Sequence, residues 1–364
     1  MRHISVLFQF LFVTLGIMIG IVPSVRAFEI GDIEIHGFIS QGYLITDNNN
    51  YMADTKGGTF QFDEMGLNFS ADVTDQLHIA MQIFSRDLGD VGNNEVGLGY
   101  AFGDYRWLNW LGVRAGKIKI DYGLYSEIRE MDMFRTLIML PQSVYPEIWR
   151  DSFSNINGVS FYGYVPGGFM GKFAYNFQIG AMDFDPDGGF AGYLHHKLND
   201  DLNLTDIDSD YSWFSNIQWH TPVQGLKWKG SYYRIEGMSA QGDLSMVTKE
   251  GDTFDTVIHY DFARKDGFTL SLEYLWKNLT VSAEYSEDTL DSNINFEDET
   301  IQAPPGGGPP ETTSQGWYLS ASYRFTDWLE SALTYSEYYP NKDNCAVAIK
   351  IRTKSKKSGN TVSV

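Results

Sequence analysis

The chain predicts an all-β protein, an antiparallel transmembrane β-barrel preceded by an export leader. Three observations predict it. The first 27 residues have the anatomy of a cleavable signal peptide. The remainder alternates apolar and polar residues over long stretches. No later segment holds the roughly 18 apolar residues that a spanning helix needs. A barrel escapes that last test because only every second strand residue meets lipid. A closed sheet also satisfies its backbone within hydrocarbon, where water is missing.

The leader opens with Arg2 and His3. Ile4 to Val22 is apolar almost throughout, Pro23 ends any helix, and Val25-Arg26-Ala27 provides a cleavage site. The mature chain is expected to start at Phe28. An uncleaved helical anchor is the rival, because the apolar run is long; the form of its end favours cleavage. The single cysteine, Cys345, allows no internal disulfide. The net charge of −20 excludes nucleic acid as a partner, since phosphate binding needs a basic face. The acids gather in polar stretches between strands, as in solvated loops.

The strands follow in order. In 32–44, Ile33, Ile35 and Ile39 share one face, opposite Glu34, His36 and Ser40. In 59–72, Met65, Leu67, Phe69 and Ala71 point outward and Glu64, Asn68 and Ser70 inward. Leu77, Ile79, Met81 and Ile83 continue the outward face, with His78, Gln82 and Arg86 inward. Val96 to Phe102 and Leu111 to Ala115 make the fourth and fifth strands. Strand pairs around tight turns then recur at 157–181, 211–235, 268–286 and 317–338. Long polar stretches, 183–209, 237–253 and 288–314, separate them. Short turns at one end and long loops at the other mark a barrel, turns periplasmic and loops extracellular. Trp107, Trp110, Trp213, Trp219, Trp328 and Tyr338 fall near strand ends, where interfacial girdles form.

Counting from a periplasmic start gives about thirteen strands through Tyr338, with 254–263 left inside a loop. Bacterial single-chain barrels have even strand numbers. The composition also changes after 343: Lys350, Arg352, Lys354, Lys356 and Lys357 appear with no acid and no aromatic. The organisation expected is therefore a signal peptide over 1–27, a barrel over 28–343, and a basic tail outside the barrel over 344–364. That tail reads as the product of truncation or frameshift, about three strands short of 16. One further strand around Ala346 to Arg352 is the alternative.

The most distinctive stretch is 113–146. It joins the fifth and sixth strands over roughly 30 residues, far beyond an ordinary connection. It brings Lys117, Lys119, Arg129 and Arg135 together with Glu127, Glu130 and Asp132. Opposite charges lining a narrow passage select by charge. Gly116-Lys117-Ile118-Lys119, then Tyr122-Gly123-Leu124-Tyr125 and an Arg-bearing segment, resembles the phosphate-selective porin (O and P) superfamily. The start Gly37-Phe38-Ile39-Ser40-Gln41-Gly42-Tyr43 and the Glu284-Tyr285-Ser286 hairpin are similar to its porin-like members.

The resemblance implies a porin-like fold of sixteen strands, often trimeric, in the bacterial outer membrane. It implies a diffusion channel for small hydrophilic solutes or ions, anions among them, with 117–150 as the constriction. Lipid and lipopolysaccharide are the expected surroundings and a homotrimer the expected assembly. Phosphate specificity needs a dense array of Lys and Arg in the lumen; here the segment mixes both signs, so that specificity is not carried over. Lys227 and Lys229 alternate with Leu226 and Trp228 and are expected to face the lumen near the periplasmic mouth.

Other chemistry is thinly represented. Asp183, Asp185 and Asp187, followed by Gly188, have the spacing that begins a calcium loop, but Leu194 stands at the twelfth position in place of Glu. Ca²⁺ at such surface loops is the one cofactor these residues suggest. His195-His196 lacks a second ligand cluster. No histidine stands at motif spacing from a nucleophile, so no enzyme is expected. A barrel working through its extracellular loops as a surface binding protein is the alternative, with the Gly- and Pro-rich 303–310 its exposed loop.

Overall fold

The computed structural model describes residues 33–89, 91–131, 135, 137–185, 188–189, 191, 202–247, 253–296, 311–343 and 349–358. The leader, the 303–310 stretch, Asp132, Asp187 and His195-His196 lie outside them. Among the described residues there are fifteen strands. They are β1 (Glu34–Gln41), β2 (Asp63–Asp72), β3 (Leu77–Asp87), β4 (Gly97–Leu108), β5 (Leu111–Lys119), β6 (Asn155–Pro166), β7 (Lys172–Met182) and β8 (Leu202–Asp208). There follow β9 (Tyr211–His220), β10 (Leu226–Val247), β11 (Thr253–Trp276), β12 (Leu279–Phe296), β13 (Glu311–Thr326), β14 (Leu329–Tyr339) and β15 (Ile349–Ser358). All belong to one antiparallel sheet in chain order, with β8 off the path and paired to β10. Among the described residues no ladder joins β1 to β15.

The sheet is inside out relative to a water-soluble protein. Outward Met65 and Leu67 on β2, Ile79, Met81 and Ile83 on β3, Phe177 and Ile179 on β7, Leu319 on β13 and Leu333 on β14 are exposed. The polar residues between them, Glu64, Gln82, Gln178, Ser320 and Thr334, are buried. A strand has a period of two, so one alternation specifies both faces. Apolar outside and polar inside is the pattern of a wall with lipid around it. Exposed Trp107, Trp110, Trp219, Trp276 and Trp328 cluster near the short-turn end, as an aromatic girdle does.

The wall curves around a single stretch of chain. Residues 120–154 touch inward side chains of β2, β3, β7, β9, β10, β11 and β12 and the backbone of β13. One short segment can reach walls so far apart in the sheet only if the sheet encloses it. The architecture is therefore an antiparallel transmembrane β-barrel of porin type, with the segment after β5 folded inside.

Two expectations are corrected. Residues 254–263 are strand, not loop: β11 runs unbroken for 24 residues against a 22-residue β10. At about 3.3 Å per residue these strands far outrun the roughly 25 Å apolar band of a barrel. Their outer halves, with β8 and the end of β12, extend past that band. The strand is continuous, so the parity of the turns is unchanged. The basic tail is also corrected. Ile349–Ser358 pairs with Leu329–Tyr338 along its whole length, as a fourteenth strand of the main path. The free edge of β14 offers hydrogen bonds to any extended backbone, whatever its composition.

Candidate pore constriction

The inserted segment begins where β5 ends at Lys119. It turns at Gly123, whose φ of 58° is left-handed and where a Cβ would strike the Tyr145 hydroxyl and the Glu284 carboxylate. Three polar locks then fasten the segment to the wall.

The first lock is Glu284 on β12. Its carboxylate accepts from the Tyr145 hydroxyl (2.5 Å), the Tyr318 hydroxyl (2.6 Å), Ser271 Oγ (2.5 Å) and the Leu124 backbone N–H (2.8 Å). Four donors saturate a buried carboxylate, as burial demands. Tyr145 also accepts from the N–H groups of Leu124 and Tyr125. Burial, reinforced by the facing Glu284, pushes the Tyr145 phenol well above its usual range.

The second lock is Asp121. Asn216 on β9 donates to it at 2.8 Å and Asn176 on β7 at 3.1 Å. Lys229 on β10 forms the ion pair. Gln178 of β7 accepts from the Asp121 backbone N–H and donates to the Lys119 carbonyl. Burial alone would raise the Asp121 carboxyl, but the Lys229 ammonium and the amide donors outweigh it and hold it low.

The third lock is an arginine network. Glu147 receives Arg129 at 2.9 Å, Arg86 at 3.0 Å and Arg150 at 3.2 Å. Arg150 also binds Glu64 at 2.6 Å, and Arg135 pairs with the other Glu64 oxygen. Arg86 reaches Asp151 at 2.6 Å. Burial pushes the Glu147 carboxyl up, but the three guanidiniums outweigh it and hold it well below the carboxylate range. Between the locks lies an apolar filling of Ile118, Ile120, Tyr122, Tyr125, Leu140, Tyr145, Phe153, Phe214 and Tyr233. Tyr122 packs on Tyr145 and Tyr233, with ring centroids 5.7 and 6.2 Å apart.

The residues singled out from sequence divide into two groups. Lys119, Glu130, Arg129 and Arg135 are buried: Lys119 pairs with Glu130, Arg129 with Glu147, and Arg135 with Glu64. Lys117 and Glu127 meet water. Lys117 lies 3.6 Å from Asp183, and Glu127 lies 3.1 Å from Arg114, which also binds Asp104 at 3.0 Å. Arg114 stacks on the Phe102 ring, 4.4 Å from its centroid. Lys229, expected at the mouth, is drawn inward by Asp121, while Lys227 pairs with Glu273 at 2.8 Å. Among the described residues no three His, Cys, Asp or Glu side chains are placed to hold a metal ion.

Glu64, Arg86, Asp121, Glu147, Arg150, Asp151 and Glu284 were not among the candidate site residues. Glu64 and Arg86 do carry a signal, since each is a charge on an inward strand position. At the loop end of the barrel a cavity of about 470 Å³ opens between the segment and the ends of β3 to β7, with Arg86, Lys117, Glu130, Arg150, Asp151 and Asp183 in its lining.

No family model matches the chain, and neither does any curated protein. Solved structures do resemble it. The outer membrane channel DcaP of Acinetobacter baumannii is 11% identical, with 90% of this chain and 97% of that one covered at a TM-score of 0.39. Salmonella typhi OmpF in complex with daunomycin is 10% identical over 84% and 89% of the two chains, at a TM-score of 0.42. Pseudomonas putida OprB is 12% identical over 90% and 93%, at a TM-score of 0.40. Likenesses this distant carry nothing about activity.

Proposed function

We propose that the chain is an outer-membrane diffusion channel for small hydrophilic solutes or ions, and that the segment between β5 and β6 is its constriction. One observation carries this: a stretch of 120–154 held inside a lipid-facing wall by polar locks on both sides. A barrel interior filled only by wall side chains would need no such segment. In this proposal Lys119, Glu130, Arg129 and Arg135 hold the constriction in shape, and Lys117 and Glu127 face the passage. The export leader, cut after Ala27, delivers the chain to the bacterial outer membrane, among lipid and lipopolysaccharide. A homotrimer and a place in the phosphate-selective porin superfamily belong to the same proposal, for fold and pore role and without phosphate specificity.

Single-channel recording in a planar bilayer tests it. The wild-type protein is expected to give discrete ohmic steps. Replacing 126–149 by a short Gly-Ser linker is expected to enlarge the steps several-fold, because the segment occupies the lumen. Absence of steps, or steps of unchanged size in the linker variant, would count against the proposal.

A further inference from the structure

The charges around the constriction are paired, yet the pairs are not presented evenly to water. Three ion pairs lie where the inserted segment and its rim meet solvent. In the Arg114–Glu127 pair the cation side chain is 21% exposed and the carboxylate 45%. In Arg86–Asp151 the values are 5% and 32%. In Lys117–Asp183 they are 23% and 67%. The carboxylate is the outer partner each time and the cation stands behind it. The deeper pairs, such as Arg129–Glu147 at 3% and 2%, show no such difference and present almost nothing to solvent.

Pairs of this kind are neutral from afar but not close by. A solute passing within a few ångströms meets the exposed member first, and the partner's field reaches it through more protein. The rim cavity adds to the imbalance: among its described lining residues there are five carboxylates, including Glu95 and Asp185, against three cations. The Lys227–Glu273 pair runs the other way, with the lysine the more exposed, as does Arg324–Glu330 beside the 327–328 turn. The Lys227 pair lies beside the short turn at 221–225, at the opposite end of the barrel from the rim cavity, and its Glu273 also accepts from the Tyr125 hydroxyl of the segment.

We infer that the passage prefers cations over anions, and that Glu127, Asp151 and Asp183 determine that preference. The inference rests on the channel reading above and deepens it. Anion selectivity in such a pore would need cations foremost at the narrow section; in these three pairs the cation is tucked behind an acid.

The experiment is a reversal-potential measurement on the full-length protein in a KCl gradient, alongside a variant carrying Glu127→Gln, Asp151→Asn and Asp183→Asn. These changes strand no buried guanidinium: Arg114 keeps Asp104 at 3.0 Å and Arg86 keeps Glu147 at 3.0 Å. The wild-type protein is expected to reverse at a potential of the sign set by K⁺. The triple variant is expected to move toward the anion side. The difference should be larger in 0.1 M than in 1 M salt, because the screening length falls from about 10 Å to about 3 Å. Clear conductance with no cation preference, or a preference unchanged in the triple variant, would overturn the inference and leave the channel standing. No conductance at all would overturn the channel, and the inference with it. Glu127→Gln alone, the mildest change, should give a partial shift of the same sign and serves as the fallback if the triple variant does not insert.

Discussion

The wall and the inserted segment are built by opposite rules. Along β13 and β14 the inward side is a row of Ser320, Ser322, Thr334 and Ser336, and the outward side carries Leu319 and Leu333. Little there depends on a particular partner; the ladder hydrogen bonds and the alternation carry the structure. Within 120–154, Asp121, Arg135, Tyr145, Glu147, Arg150 and Asp151 each have a partner on a distant strand, and removing a charged one leaves its partner's charge in a dry place. The wall is thus specified by pattern and the segment by pairing. Pattern tolerates change at any one position, whereas pairing does not.

Glu147→Gln should break this contrast most severely. It strips three guanidiniums of their shared acceptor. Unpairing a buried charge costs about 3–5 kcal/mol. The expected outcome is a loosened segment inside an intact wall, read as new proteolytic cuts within 120–154 and as flickering channel current. A quiet trace with unaltered protease resistance would show that the locks are not what holds the segment.

Leu333→Arg tests the wall in turn. An arginine facing lipid near the midplane costs about 2–4 kcal/mol. Reversible urea unfolding in lipid vesicles should show a lower midpoint, while the conductance of the molecules that remain inserted stays the same. A changed conductance would mean that position 333 faces the lumen, contrary to its place in the sheet.

The smallest effect concerns pH. Glu147 is held well below its ordinary value of 4.5 by Arg129, Arg150 and Arg86. A carboxyl with a lowered folded-state value contributes stability that is fully present above the unfolded value and lost only as pH falls through the folded one. Acidification from pH 7 to pH 5 should therefore leave the segment attached, with step size and protease pattern unaltered. Release at pH 5 would mean that the arginine network does not stabilise the ionised form.

Much of the wall could be read directly from the residues. The alternation of Met65, Leu67, Glu64 and Asn68, or of Ile79, Met81 and Gln82, is local and repeats every two positions. Turn parity followed from the same pattern, and so did the long connection after β5. Composition was less reliable at the periphery. Residues 254–263 do alternate, with Phe254, Ile258, Tyr260 and Phe262 against Asp255, His259 and Asp261, but turn parity places them in a loop; residues 349–358 are basic and carry only two apolar side chains, Ile349 and Ile351. Both are nevertheless strands, because a neighbouring strand supplied the hydrogen bonds: β10 for the first and β14 for the second.

What the chain determined by itself is therefore the barrel-type wall, its two faces and the presence of an unusually long connection, because each rests on contacts between near neighbours or on length alone. The tertiary structure decided what the charges do. Arg86 finds Glu147 across 61 positions, Arg150 finds Glu64 across 86, and Tyr145 finds Glu284 across 139. No local period encodes pairs that far apart. Which member of a pair is buried and which meets water is likewise set by the curvature of the wall around the segment. That curvature buried Lys119, Arg129 and Arg135, and left Glu127, Asp151 and Asp183 more exposed than their cation partners.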